Sequence, residues 1–243
     1  MYFDAHAHLQ NLPHLVEVLD RAEKYNVRHI ICNAIYEKDW EKLHKINKEH
    51  PNVYIAIGIH PMAVSQLKMG WEDRLETMLK QQPNFMVGEI GLDKQYDTMP
   101  QQIKVFQKQL TLACKYNRPA ILHCFRAWPE LLSILNDQAP HLPPKMMSHS
   151  HHGNAEIIPE LIQKYNMYFS YSSICVPETH PKIQSCLKST PLERILVESD
   201  CPDLAQDPTA VIDIIPHMIR ICGQKKSTFQ KMLFKNAQHF VHQ

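Results

Sequence analysis

A chain of 243 residues can form one large barrel or two small domains, and its 44% hydrophobic and 21% charged content describes an ordinary globular protein with a core. Its 26 basic and 25 acidic residues nearly cancel to a formal charge of +1, so any polyanionic ligand would need a local site. Seven scattered cysteines without a C-x-x-C pair argue against a disulfide framework or zinc knuckle, and the absence of a leader-like N-terminus or a long apolar run predicts a cytoplasmic protein with no membrane span.

In chain order, short β-branched runs alternate with longer segments of helical spacing. Strands are predicted at 2–5, 28–33, 53–58, 85–89, 120–123, 145–149, 167–170 and 195–198. Helical spacing shows in Leu15, Val18, Leu19 and Ala22, and again in Ile103, Phe106, Leu110 and Ala113. Pro100, Pro129 and Pro181 sit near helix starts, where a missing N–H does least harm. A last helical region, 209–242, is broken near Gly223. Eight β-α units in this length predict an α/β fold: a single-domain (β/α)8 TIM-type barrel over residues 1–243 with a C-terminal closing helix. A doubly wound parallel sheet is the rival reading.

Ionisable residues recur at the C-terminal tips of these strands. Strand 1 runs into Asp4-Ala5-His6-Ala7-His8, strand 3 into Gly58-Ile59-His60-Pro61, and strand 4 into Gly88-Glu89-Ile90-Gly91-Leu92-Asp93. Strand 5 ends at His123, strand 6 at His149, and strand 8 runs into Glu198-Ser199-Asp200. In a barrel these tips share one rim, where active sites are built. His6 and His8, two apart in a strand, face the same side and can meet one ion. Singly, each residue has a structural explanation, such as a turn carboxylate or a rim histidine bonded to backbone. Gathered at one mouth, imidazoles and carboxylates would repel or go unsatisfied without cations, so the set predicts metal binding. Four of only six glycines (Gly58, Gly88, Gly91 and Gly153) also lie at these tips, where close backbone approach is needed.

In this order the blocks resemble the TatD-like deoxyribonuclease family of amidohydrolase-type barrels, over essentially the whole chain. The likeness rests on Asp4 to Leu9, Gly58 to Pro61, Gly88 to Asp93, Arg118-Pro119 to His123, His149 to Gly153, Glu198 to Pro202 and the tail Phe234 to Phe240. It implies two divalent cations, with His6, His8 and Asp200 on one, His123 and His149 on the other, and Glu89 bridging. The resemblance implies magnesium, whereas mixed imidazole and carboxylate ligands suit zinc, manganese, iron or nickel. It also implies phosphate contacts from His60 and Arg126. Two blocks depart from the family pattern. Arg126 stands three rather than two residues after His123, and His149-Ser150-His151-His152-Gly153 replaces a usual His-Cys-Phe-Ser-Gly, which makes His151 and His152 candidate substitutes.

The function expected is a phosphodiesterase acting on DNA, or RNA, as an exonuclease on ends or single strands, with water activated by two metals and Asp200 as general base. Glu198, on the same strand face as Asp200, is either a group supporting the ligands or a structural ion pair. Lys94, Tyr96, Phe125, Arg126, Trp128 and Tyr171 near the rim could stack bases and contact backbone, or simply pack the barrel. Nothing resembles a motif that reads base sequence, and no obligate protein partner is expected. An alternative keeps the barrel and metals but hydrolyses a small metabolite, as an amidohydrolase or lactonase. A non-catalytic binding barrel comes last, because all six candidate ligands are present.

Overall fold

The alternation of apolar runs and helical segments builds a barrel in which every strand lies beside its neighbour in sequence. In this computed structural model, which describes residues 1–177 and 179–242, the strands are β1 (Tyr2–Ala7), β2 (Val27–Asn33), β3 (Val53–Ile57), β4 (Met86–Asp93), β5 (Ala120–Phe125), β6 (Met146–Ser148), β7 (Met167–Tyr171) and β8 (Ile195–Val197). Residues 178 and 243 lie outside the described residues. Consecutive strands pair in parallel in the order β1 to β8. The segment after β8 returns to β1: the Asp200 N–H donates to the His6 carbonyl at 2.9 Å, and the His8 N–H to the Cys201 carbonyl at 2.8 Å. That closure excludes the doubly wound sheet, whose first and last strands never meet.

The helices are α1 (Leu15–Lys24), α2 (Trp40–Glu49), α3 (Trp71–Gln81), α4 (Met99–Lys115), α5 (Trp128–Gln138), α6 (Ile158–Tyr165), α7 (Pro181–Ser189), α8 (Val211–Cys222) and α9 (Lys226–Val241). Pro100, Pro129 and Pro181 all fall in first turns. Gly223 ends α8 in a left-handed conformation (φ 63°), which divides the C-terminal helical region. The apolar stripe of α4 buries Val105, Phe106, Leu110 and Ala113 between helix and sheet. Among the described residues, no helix is long and apolar enough to cross a membrane, and the seven cysteines are free.

Two apolar layers hold the barrel. One lies between the sheet and the surrounding helices. The other fills the lower interior with Phe3, Ala5, Ile31, Ala56, Met86, Ile121, Met147, Tyr168 and Leu196, and Ala237 and Phe240 of α9 pack against it from below. The predicted closing helix therefore plugs the N-terminal end and leaves the opposite mouth free.

Candidate metal centre

The upper interior is polar because of strand parity. On β5, Ile121 faces inward, so His123 does too; on β3, the inward Ala56 sets His60 inward past the strand end. On β8, inward Leu196 places Glu198 and Asp200 on the same side. β1 and β4 break this rule. Three residue steps on β1 (Asp4 to Ala7) oppose two on β2, and three on β4 (Val87 to Ile90) oppose two on β5. Each is a bulge with one extra residue, and it reverses the facing of everything beyond it. Phe3 and Ala5 face inward below the first bulge, while Ala7 and Leu9 above it pack outward with the helices, leaving His6 and His8 inward. Likewise Ile90 and Leu92 pack outward, and Glu89 and Asp93 enter the barrel mouth.

These side chains converge. His6 Nε2 lies 3.2 Å from His8 Nε2 and 3.2 Å from Glu89 Oε2, His8 Nε2 lies 3.5 Å from the same oxygen, and both nitrogens lie 3.8 Å from Asp200 Oδ1. Four donors around one tetrahedral cation, each about 2.1 Å from it, stand about 3.4 Å apart. The three edges among His6, His8 and Glu89, 3.2–3.5 Å, come close to that, and these three groups could hold an ion; Asp200 stands slightly farther from both rings, at 3.8 Å. The other oxygen of Glu89, Oε1, faces a second set of imidazoles: His123 Nδ1 at 2.7 Å, His60 Nε2 at 3.4 Å and His149 Nε2 at 3.4 Å.

Hydrogen bonds behind the rings decide which nitrogens are free. The Nδ1 atom of His8 donates to the Asn33 carbonyl at 2.9 Å, which leaves Nε2 with its lone pair toward the cluster. His149 Nδ1 donates to Glu198 Oε1 at 3.1 Å, and Glu198 in turn accepts from the Ser170 hydroxyl at 2.5 Å. His123 Nε2 lies 3.1 Å from Asp93 Oδ2. His60 differs: its Nδ1 accepts the Met62 N–H at 3.1 Å, so the proton sits on Nε2 and the ring faces the cluster as a donor. Glu198 therefore supports His149. Asp93, quoted within a motif but given no role from sequence, supports His123; its position at the inward end of β4 was the available signal.

Burial and neighbouring charge oppose one another across the cluster. Burial opposes ionisation of Glu89, yet the imidazoles of His149, His60 and His6 and a hydrogen bond from His123 hold its pKa well below the ordinary value. Burial pushes His6 down, and it pushes His60 down to about 4. Burial also works against His149, but Glu198, Glu89 and Asp200 raise it to about 10. Asp93 and Glu89 likewise raise His123 against its burial. Burial raises the pKa of Asp200.

Not every predicted residue joins the cluster. Arg126, in a left-handed conformation (φ 55°), is exposed with its guanidinium carbon 5.0 Å from the Phe125 ring centroid, facing a cleft beside the centre. His151 bonds Ser148 Oγ at 2.9 Å and packs edge-on to Trp128 and Phe169, while His152 borders the same cleft as Arg126.

The sequence profile of the family described as TatD related DNase matches residues 3–242. The chain belongs to that family. It is 29% identical over 242 residues to the uncharacterised metal-dependent hydrolase YabD of Bacillus subtilis, covering 97% of this chain and 93% of YabD. It is 26% identical over 219 residues to the 3′-5′ ssDNA/RNA exonuclease TatD of Pectobacterium atrosepticum, covering 84% of this chain and 82% of that protein. The crystal structure of YjjV, a TatD homologue from Escherichia coli K12, superposes with a TM-score of 0.89 at 22% identity over 99% of this chain and 97% of that one. This TatD-family chain is a metal-dependent hydrolase built on a (β/α)8 barrel.

Proposed function

We propose that this TatD-family barrel is a two-metal phosphodiesterase that removes nucleotides from the ends of single-stranded DNA or RNA. The observation that carries the reading is Glu89, whose two carboxylate oxygens face separate sets of imidazoles, as a bridging ligand requires. His6, His8, Asp200 and Glu89 Oε2 would hold one cation; Glu89 Oε1, His123 and His149 would hold the other. The name of the Pectobacterium relative supports nucleic acid as substrate and a 3′-5′ direction. No lysine ends a strand to bridge metals in the manner of many amidohydrolases, which favours the nuclease branch over the small-metabolite alternative.

Cations bound there would supply Lewis-acid polarisation of a phosphoryl oxygen and acidify a water. The chain does the rest. Asp200, its pKa raised by burial, takes the proton of the attacking water as general base. His60, with its proton on Nε2, donates to a non-bridging phosphate oxygen. Arg126 reaches the next phosphate from the rim, where its planar fork suits a phosphate. Asp93 and Glu198 keep His123 and His149 oriented.

The test is incubation of metal-reconstituted protein with 3′-labelled and 5′-labelled single-stranded oligonucleotides. Mononucleotide release that vanishes in Glu89→Ala and Asp200→Ala is the expected result. Full metal loading with no cleavage of any nucleic acid, but turnover of lactones or cyclic amides, would sink the reading.

A further inference from the structure

Beside the centre lies a cleft of about 670 Å³ between the turn after β5 and the starts of α6 and α7. Phe125, Trp128, Leu132 and His152 line it together with Arg126 and Lys182. Its size is that of a small-ligand site rather than a packing flaw. Phe125 is two residues beyond His123 on the same inward side of β5, and His152 is three beyond His149. Two of the cleft's lining residues are therefore joined to proposed metal ligands by two or three residues of chain. The rings of Phe125 and His152 meet edge-on, with centroids 6.4 Å apart, and Phe125, Trp128, Leu132 and His152 keep part of their surface open.

Charge narrows the occupant. The lining contains two cationic side chains and no carboxylate. Arg126 and Lys182 are exposed, and among the described residues neither has an acidic partner. Aromatic faces, an aliphatic wall and two cations in the lining suit a flat heteroaromatic ring that carries an anion. A peptide or lipid chain would use the apolar wall but has no use for cations beside stacking rings. A nucleotide uses both.

We infer that this cleft seats the base of the nucleotide adjoining the scissile phosphodiester, with the base against Phe125 and Trp128 and the neighbouring phosphate between Arg126 and Lys182. The inference rests on the phosphodiesterase reading and deepens it. It assigns the preference for single strands to a physical cause: a base paired in a duplex cannot enter the cleft. Recognition by stacking also tolerates any base, in keeping with the lack of a sequence-reading motif.

The experiment compares the metal-loaded enzyme on intact oligonucleotides and on oligonucleotides with abasic residues at the attacked end. Loss of one stacked base is expected to raise KM about tenfold with little change in kcat. Phe125→Ala should raise KM for the intact strand by a similar factor and leave the abasic KM unmoved. The abasic comparison needs only the wild-type chain, so it stands even if the variant fails to fold. Equal KM values for intact and abasic strands, or a Phe125→Ala effect equal on both, would overturn the cleft assignment while leaving the nuclease reading intact. A second readout needs no turnover: a nucleoside monophosphate should quench tryptophan fluorescence and bind at least about tenfold tighter than ribose 5-phosphate, a difference lost in Phe125→Ala. Such binding without any cleavage would support the cleft and reject the phosphodiesterase instead.

Discussion

Histidines and carboxylates could be picked out as a group from their place at strand tips, but which nitrogen of each ring carries the proton is set by hydrogen bonds that no motif displays. His8 and His60 illustrate the difference. Both are buried imidazoles at the mouth, and both approach Glu89 within 3.5 Å. The Asn33 carbonyl behind His8 takes a proton, whereas the Met62 N–H behind His60 supplies one, so one ring offers a lone pair and the other an N–H. His60→Ala should therefore leave the metal content of the protein unchanged, because a donor is removed and no ligand is. Losing a hydrogen bond to a charged phosphate costs about 1.5–3 kcal/mol, so kcat/KM should fall roughly tenfold to a hundredfold. Metal analysis beside steady-state kinetics checks both halves; a drop to one ion per chain would make His60 a ligand. The partner of His8 lies on β2, twenty-five residues away, and that of His60 is a backbone N–H only two residues on whose direction is set by the turn after β3, so the residue types were legible and the tautomers were not.

At the scale of elements, the number and order of strands were legible because alternating apolar runs and helical spacing are local signals. Their ends were not. Strand 1 was expected to stop at residue 5 and strand 4 at residue 89, but β1 continues to Ala7 and β4 to Asp93, because the bulges interrupt the two-residue period that marks a strand. Conversely β6 and β8 shrink to three residues each, Met146–Ser148 and Ile195–Val197. The bulge in β4 also fixes Gly91. With φ at 151°, a Cβ there would stand 1.8 Å from the His123 carbonyl oxygen, a backbone atom that cannot step aside. Gly91→Ala should accordingly cost about 3 kcal/mol or more in urea unfolding, through strain and a displaced β4–β5 pairing. Gly223→Ala is the control: its φ of 63° is also left-handed but nothing lies within 4 Å, so only about 1 kcal/mol is expected. Equal losses at the two sites would mean that the tight approach of β4 to β5 does not matter.

For the whole molecule, the barrel and its closing helix could be read from chain length, unit count and the broken helical tail, whereas closure itself is a contact between residues nearly two hundred positions apart. Asp4 accepts the Ser199 N–H at 2.8 Å and the Ser199 hydroxyl at 2.5 Å, tying the last strand to the first directly beneath the proposed ligands. The ligands themselves come from β1, β4 and β5 and from the segments following β6 and β8, so a bound cation joins pieces that no unfolded chain holds together. Ions that bind the folded barrel and not the unfolded chain stabilise it by about 2.7 kcal/mol at a concentration one hundred times Kd. In a chain of this size that amounts to a rise in Tm of about 5–10 °C. Chelation should reverse the rise, and Glu89→Ala should abolish most of it, because both sets of imidazoles lose the carboxylate they share. Scanning calorimetry of metal-free and reconstituted protein, wild type against variant, measures this directly. With sixteen histidines in the chain, adventitious binding at the surface is the competing explanation. It predicts that Glu89→Ala keeps the same metal-dependent rise, and that result would remove the barrel mouth as the metal centre.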